Sequence, residues 1–221
     1  MCQGTRGELM KQRRLIAIGD IHGHHDKLVG LLEQIAPTPE DRLVFLGDYI
    51  DRGPDSFLVV EELIKLKGRF PNTVTLRGNH EDYVVAVFLG NINDYERKLW
   101  LRDNGGNLTI ASYKEEGHFM AVHKDFYLGL PLFFETDDFF FCHAGVRPGT
   151  PLSAQRPEDL VNIRDEFLFS NLDFGKVIVH GHSISFEPAL LPHRICVDTG
   201  ASGHGPLTAV ELPSRRIWQQ L

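Results

Sequence analysis

Leu43-Val44-Phe45-Leu46-Gly47-Asp48-Tyr49-Ile50-Asp51-Arg52-Gly53 is the stretch on which the fold turns. Four apolar residues running into a glycine predict a buried strand that ends at a functional loop. Two carboxylates and a guanidinium follow at once: Asp48, Asp51 and Arg52. A single buried ion pair would use one acid and one base and strand the other acid, and burying an unpaired carboxylate is costly. A divalent cation held by Asp48, with Arg52 left to meet an anionic substrate, uses all three charges.

The same arrangement recurs on either side. Leu15-Ile16-Ala17-Ile18-Gly19 predicts a strand leading into Asp20-Ile21-His22-Gly23, and Val74-Thr75-Leu76 a strand leading into Arg77-Gly78-Asn79-His80-Glu81. Between them, His25 to Ile35 carries Leu28, Leu31, Leu32 and Ile35 at helical spacing. A second helix opens at Pro54 and Asp55 and carries Leu58, Val59, Leu63, Ile64 and Leu66. The first third therefore reads βαβαβ with a polar cluster after every strand, which is where ligands bind in open α/β sheets.

Residues 82–130 are expected to be helical, a cap or wall beside the site, with a break at Gly105-Gly106. Leu132–Glu135 and Phe139–Cys142 predict two strands around an Asp137-Asp138 turn, followed by His143-Ala144-Gly145. Pro157 to Phe169 reads as a helix or partly helical loop carrying Arg164. Lys176–Val179 predicts a strand leading into His180-Gly181-His182. Arg194–Val197 and Leu207–Leu212 are expected to close the chain, with Asp198-Thr199-Gly200 between them.

With 221 residues the chain is expected to form one domain over residues 14–221 behind a polar leader at 1–13. A hydrophobic content of 42% and a charged content of 24% suit a globular protein. A net charge of -7 argues against stable nucleic-acid binding. Acids, not Lys or Arg, interleave Phe133, Phe134, Phe139, Phe140 and Phe141, so those rings read as core and not as a base-stacking platform. No apolar run approaches the roughly 18 residues of a membrane span, and Met1 to Arg14 lacks the apolar core of a signal peptide. Three scattered cysteines with no C-x-x-C pair argue against a disulfide scaffold or a thiolate zinc site and suit a reducing cytoplasm. The absence of a G-x-x-x-x-G-K-[ST] loop argues against a nucleotide-driven machine.

The ligand inventory is coherent. Asp20 and His22 stand two apart, so in extended backbone they share a side and can chelate one ion. Asp48 can bridge two ions, Asn79 offers an amide oxygen, and His143 and His182 add imidazoles. Nitrogen and oxygen donors without thiolate suit manganese, iron or zinc better than calcium. Two such ions sharing a carboxylate and a water yield a nucleophilic hydroxide at neutral pH. His180 competes with His182 as ligand, Arg77 either braces its loop or touches substrate, and Asp198 either satisfies turn amides or supports a ligand histidine. His24, His25, His118, His123, His193 and His204 read as surface or hydrogen-bonded histidines.

Gly19-Asp20-Ile21-His22-Gly23, Gly47-Asp48-Tyr49-Ile50-Asp51-Arg52-Gly53 and Gly78-Asn79-His80-Glu81 resemble, in order and spacing, the three signature motifs of the phosphoprotein-phosphatase family of calcineurin-like metallophosphoesterases. Cys142-His143-Ala144-Gly145, Ile163-Arg164-Asp165, Val179-His180-Gly181-His182 and Asp198-Thr199-Gly200 extend the resemblance over about residues 15–212. The His-Ala-Gly form is similar to the bacterial and phage serine/threonine phosphatase branch. The resemblance implies an α/β β-sandwich of mixed sheets flanked by helices, with metals at the strand carboxyl ends. It implies two divalent ions, manganese first with iron or zinc as alternatives. Asp20 and His22 would hold the first ion, Asp48 would bridge, and Asn79, His143 and His182 would complete the second. Arg52 and Arg164, with Asn79, would bind the substrate phosphate. His80 would act as general acid, oriented by Asp51. The implied reaction is hydrolysis of a phosphate ester by in-line attack of a metal-bound hydroxide, on a phosphorylated protein or, alternatively, symmetrical hydrolysis of diadenosine tetraphosphate or of another nucleotide polyphosphate. Ser183, Ile184 and Asn162 depart from the residues many relatives carry, which leaves fine substrate preference open, and the sequence does not disclose the oligomeric state.

A thiol-dependent phosphatase would need a reactive cysteine, and Cys142 falls inside an apolar strand. Cys142→Ser is therefore expected to keep most p-nitrophenyl phosphate turnover in manganese, whereas Asp48→Asn removes most of it. Steady-state rates of the two purified variants check this.

Overall fold

The computed structural model describes residues 13–221, so the leader expected at 1–13 lies, apart from Arg13, outside the described residues. The elements run β1 (Leu15–Ile18), α1 (His25–Ile35), β2 (Arg42–Phe45), α2 (Ser56–Arg69), β3 (Val74–Thr75), α3 (Asn79–Leu89), α4 (Asp94–Asp103), α5 (Gly106–Glu115), α6 (Lys124–Leu128), β4 (Phe133–Glu135) and β5 (Phe139–Cys142). They continue with α7 (Pro157–Asn162), α8 (Asp165–Leu168), β6 (Val177–His180), β7 (Ala189–Leu190), β8 (Arg194–Cys196), β9 (Leu207–Leu212) and β10 (Ile217–Gln220). No described helix is long and apolar enough to cross a membrane.

Two five-stranded mixed sheets stack face to face, in the orders β10-β9-β1-β2-β3 and β4-β5-β6-β8-β7. In the first, β1, β2 and β3 are parallel, while β9 and β10 run antiparallel beside β1. In the second, β5, β6 and β8 are parallel between antiparallel edges β4 and β7.

The period of two in each strand builds three cores from one sequence. Ile16, Ile18, Leu43 and Phe45 face the helical layer, where Leu28, Leu31, Val59 and Leu63 cover them. Ala17, Val44 and Leu46 face inward and meet Phe139, Phe141, Val179 and Ile195 of the other sheet. Phe140, Cys142 and Ile178 point outward again, against Leu160 and Phe167 of α7 and α8. A strand buried on both faces has no polar face to show, and this is why these segments read as unbroken apolar runs.

The structure departs from expectation at two places. Leu207–Leu212 does not close the chain, because β10 pairs beyond it. Its sequence, Ile217-Trp218-Gln219-Gln220, buries only Trp218 well, so the apolar signal is thin. Asn79 and His80 do not sit in a loop but in the first turn of α3, whose start is fixed when Glu81 Oε2 accepts the Gly78 N–H at 2.9 Å.

Phe141 is fully buried between the sheets. Phe141→Ala is expected to lower the unfolding free energy by about 3–5 kcal/mol, read from urea midpoints at unchanged slope.

Candidate active site

Both sheets present the carboxyl ends of their parallel strands to one edge of the sandwich. The loops after β1 and β2 bring Asp20, His22 and Asp48 there, the first turn of α3 brings Asn79, and the loops after β5 and β6 bring His143 and His182. Asp48 lies at the centre and is nearly fully buried. Its Oδ1 is 3.3 Å from His143 Nε2, and its Oδ2 is 3.5 Å from His22 Nε2 and 3.8 Å from His80 Nε2. One carboxylate thus turns an oxygen to each side. Two ligand clusters result, His22 with Asp48 and His80, and Asp48 with His143 and His182, each with its donor atoms within 4.8 Å of one another.

The ring tautomers suit cation binding. His22 Nδ1 donates to the Ile50 carbonyl at 2.8 Å and His143 Nδ1 to the Leu46 carbonyl at 2.9 Å, so each ring turns Nε2 toward Asp48. Asn79 Oδ1 stands 2.9 Å from His143 Nε2, close enough to accept its N–H from a protonated ring or to share a cation with a neutral one. The electrostatics agree. Burial works against a charge on His143, but Asp48, Asp20 and Glu81 push its imidazole up to about 10. Burial holds His22 down to about 3 and His182 down to about 2. The buried carboxylates thus demand positive charge, which a proton on His143 or a divalent cation can provide.

Asp20 stands outside both clusters, with its carboxylate accepting the His182 backbone N–H at 3.1 and 3.3 Å. Gly181 permits this approach, since a Cβ there would lie 2.1 Å from Asp20 Oδ1. The extended backbone expected at Asp20–His22 is not what forms. His22 (φ 49°), Asp48 (54°), Asp51 (69°), Arg52 (66°) and His182 (62°) all adopt left-handed backbone, which costs of order 1–3 kcal/mol at each non-glycine position. The surroundings enforce it. The Asp48 carbonyl accepts the N–H groups of Ile21 and His22, and Glu81 accepts those of Asp48 (2.8 Å) and Tyr49 (2.9 Å) besides Gly78. Burial, reinforced by Asp48, raises the Glu81 carboxyl to about 7. This bracing role of Glu81 was not legible in the sequence, although the residue closes the third motif.

His80 is fully buried, with Nδ1 2.7 Å from Asp51 Oδ2 and Nε2 3.0 Å from the Arg52 guanidinium. Arg52 also reaches His22 Nε2 at 3.0 Å. Arg164 is exposed and donates to the His182 carbonyl at 3.1 Å.

The profile of the calcineurin-like phosphoesterase family matches residues 13–209. This chain belongs to the calcineurin-like phosphoesterases.

Members of that family are metal-dependent phosphoester hydrolases, and the donor set around Asp48 fits that chemistry. A putative serine/threonine-protein phosphatase of Schizosaccharomyces pombe is 32% identical over 157 residues, 67% of this chain and 46% of the relative. The match therefore spans under half the length of that relative. An asymmetrical bis(5'-nucleosyl)-tetraphosphatase, PrpE, of Halalkalibacterium halodurans is 29% identical over 224 residues, 89% of each chain. A solved structure described as a putative diadenosine tetraphosphatase shares the fold at TM-score 0.71 and 22% identity, covering 95% of this chain and 94% of that one.

The residues left open by the sequence now have places in this phosphoesterase. His180 lies outside both clusters, donating from Nδ1 to the Gly181 carbonyl at 3.0 Å with its ring edge against Phe167. Arg77 braces its loop, donating to the Leu130 carbonyl at 3.2 Å and to Asp82. Asp198 accepts the Gly200 N–H at 3.0 Å, the turn role. Burial pushes the Cys142 thiol well up and leaves it inert. A cavity of about 400 Å³ opens beside Asn79, bounded by Asp82, Tyr83, Leu89, Glu96 and Asn162.

Glu81→Gln would set an amide N–H against backbone donors at a fully buried position. The expected cost is about 1–3 kcal/mol, read by chemical denaturation, together with a large loss of phosphatase rate.

Proposed function

We propose that residues 14–221 act as one catalytic unit hydrolysing phosphate monoesters, with phosphoserine and phosphothreonine in proteins as the substrate class. Asp20, His22 and Asp48 would hold one divalent ion, and Asp48, Asn79, His143 and His182 the other. Manganese suits these donors best, with iron or zinc as alternatives. Bound there, the ions would neutralise phosphate charge and make water acidic enough to react at neutral pH. The observation that carries the reading is Asp48, whose two oxygens face the two imidazole groups.

The chain's own groups then have defined work. Arg52 and Arg164 offer planar forks that match two phosphate oxygens. Water adds to phosphorus on the face opposite the leaving oxygen, and the phosphorus–oxygen bond to the alkoxide breaks. His80, held through Nδ1 by Asp51, delivers its Nε2 proton to that oxygen, an effect of roughly 10²–10⁴-fold.

The cavity beside Asn79 carries Asp82 and Glu96 and no lysine or arginine in its lining, which suits a peptide segment better than a chain of further phosphates. The competing reading, hydrolysis of diadenosine tetraphosphate, draws support from the likeness to PrpE over 89% of the chain. The expected kcat/KM on a phosphothreonine peptide exceeds that on diadenosine tetraphosphate by at least about tenfold, with metal content measured on the same sample. The reverse order would favour the nucleotide reading. Stripping metal with a chelator should abolish both activities, and adding manganese should restore them.

A further inference from the structure

The geometry points to Trp100 of α4 and Thr109 of α5 as positioning residues that hold Asp51, and through it the His80 imidazole, for proton delivery. The inference rests on His80 as the acid and goes one layer further out, into the helical segment 82–130.

Asp51 is fully buried, so its charge and lone pairs must be met inside the protein. Three side chains meet them. Oδ2 accepts from His80 Nδ1 at 2.7 Å and from Trp100 Nε1 at 2.8 Å, and Oδ1 accepts from Thr109 Oγ1 at 2.5 Å. The Thr109 hydroxyl also accepts the Asp51 backbone N–H at 2.9 Å, gripping the residue from both ends. Trp100 and Thr109 are themselves buried. Indole N–H is donor only, and a buried one is placed by its acceptor; here the acceptor is the carboxylate that orients the acid.

The helix pair is also built to sit close. Gly105, at φ 85°, lies against the Arg52 backbone so tightly that a Cβ would come within 2.6 Å of Arg52 N. Gly106 lies under the Trp100 indole, where a Cβ would come within 2.5 Å. The Gly105-Gly106 break therefore lets one helix pair touch both members of the left-handed Asp51-Arg52 dipeptide. With three donors fixed, the carboxylate has one orientation, which keeps Nδ1–H in place whether or not the ring is charged and leaves Nε2, on the Arg52 side, as the nitrogen that gains and delivers the moving proton. Losing one donor frees the carboxylate to rotate, and the ring with it.

A nitrophenolate leaves without a proton, whereas a threonine alkoxide needs one, so the two substrates separate a positioning role from a merely structural one. In manganese-loaded full-length enzyme, Trp100→Phe and Thr109→Val should each lower kcat on a phosphothreonine peptide by about 10- to 100-fold with KM unchanged. The loss on p-nitrophenyl phosphate should be several-fold smaller, and Thr109→Ser should restore the rate. In the His80→Asn background, Trp100→Phe should add nothing. In zinc-loaded protein, the His80 Nδ1–H proton resonance should shift in Trp100→Phe. Equal losses on the two substrates, or a further loss in the His80→Asn background, would overturn the inference. If His80→Asn itself fails to separate the substrates, the acid assignment falls. If it separates them while the two positioning variants do not, the acid stands and the positioning role falls. Should Trp100→Phe not fold, the Thr109→Val and Thr109→Ser pair carries the same comparison.

Discussion

A carboxylate at Asp48, almost sealed from solvent and faced by imidazoles on both sides, is unstable alone in a low-dielectric interior. It must be offset by positive charge. That demand shapes everything around it. The loop carrying Asp48 adopts left-handed backbone at Asp48, Asp51 and Arg52, a conformation that persists only because Glu81, Tyr49 and the Ile21–His22 amides bond it from several directions. Strain is thereby concentrated where ligand atoms must converge, and the two sheets supply the rigidity that holds it.

Burial does a second task through the tautomers. Because Ile50 and Leu46 carbonyls lie at Nδ1 of His22 and His143, the rings arrive with Nε2 already turned inward. These two rings are set by backbone at the end of β2, so their orientation and that strand of the first sheet are one piece of structure. Asp51, three residues after Asp48, belongs to the same loop but looks outward to α4 and α5. One short segment therefore carries the Asp48 carboxylate, the Arg52 guanidinium and the Asp51 carboxylate that meets His80.

Much of this was legible in the residues. Alternate side chains of Leu43–Leu46 serve two cores, so the run had to be apolar throughout, and its glycine ending announced the site. Polar clusters after successive strands named Asp20, His22, Asp48, Asn79, His143 and His182, and the resemblance divided them between two ions. What stayed hidden depended on contacts distant in sequence. Trp100 and Thr109 lie 49 and 58 residues from Asp51, and nothing in a helical stretch marks which indole will find a buried acid. Glu81 read only as the last residue of the third polar cluster, and its three backbone donors reveal it as a brace. The left-handed backbone at His22 defeated an argument from extended geometry, because side-chain direction there follows the loop and not the strand. β10 was missed because an edge strand can form around one buried Trp218 with glutamines beside it.

The central claim is that Asp48 joins two cation sites, one on the His22 side and one on the His143–His182 side. Anomalous diffraction from manganese-soaked crystals tests it most directly. The account predicts two peaks a few ångströms apart with the Asp48 carboxylate between them; a single peak, or peaks away from Asp48, would contradict it.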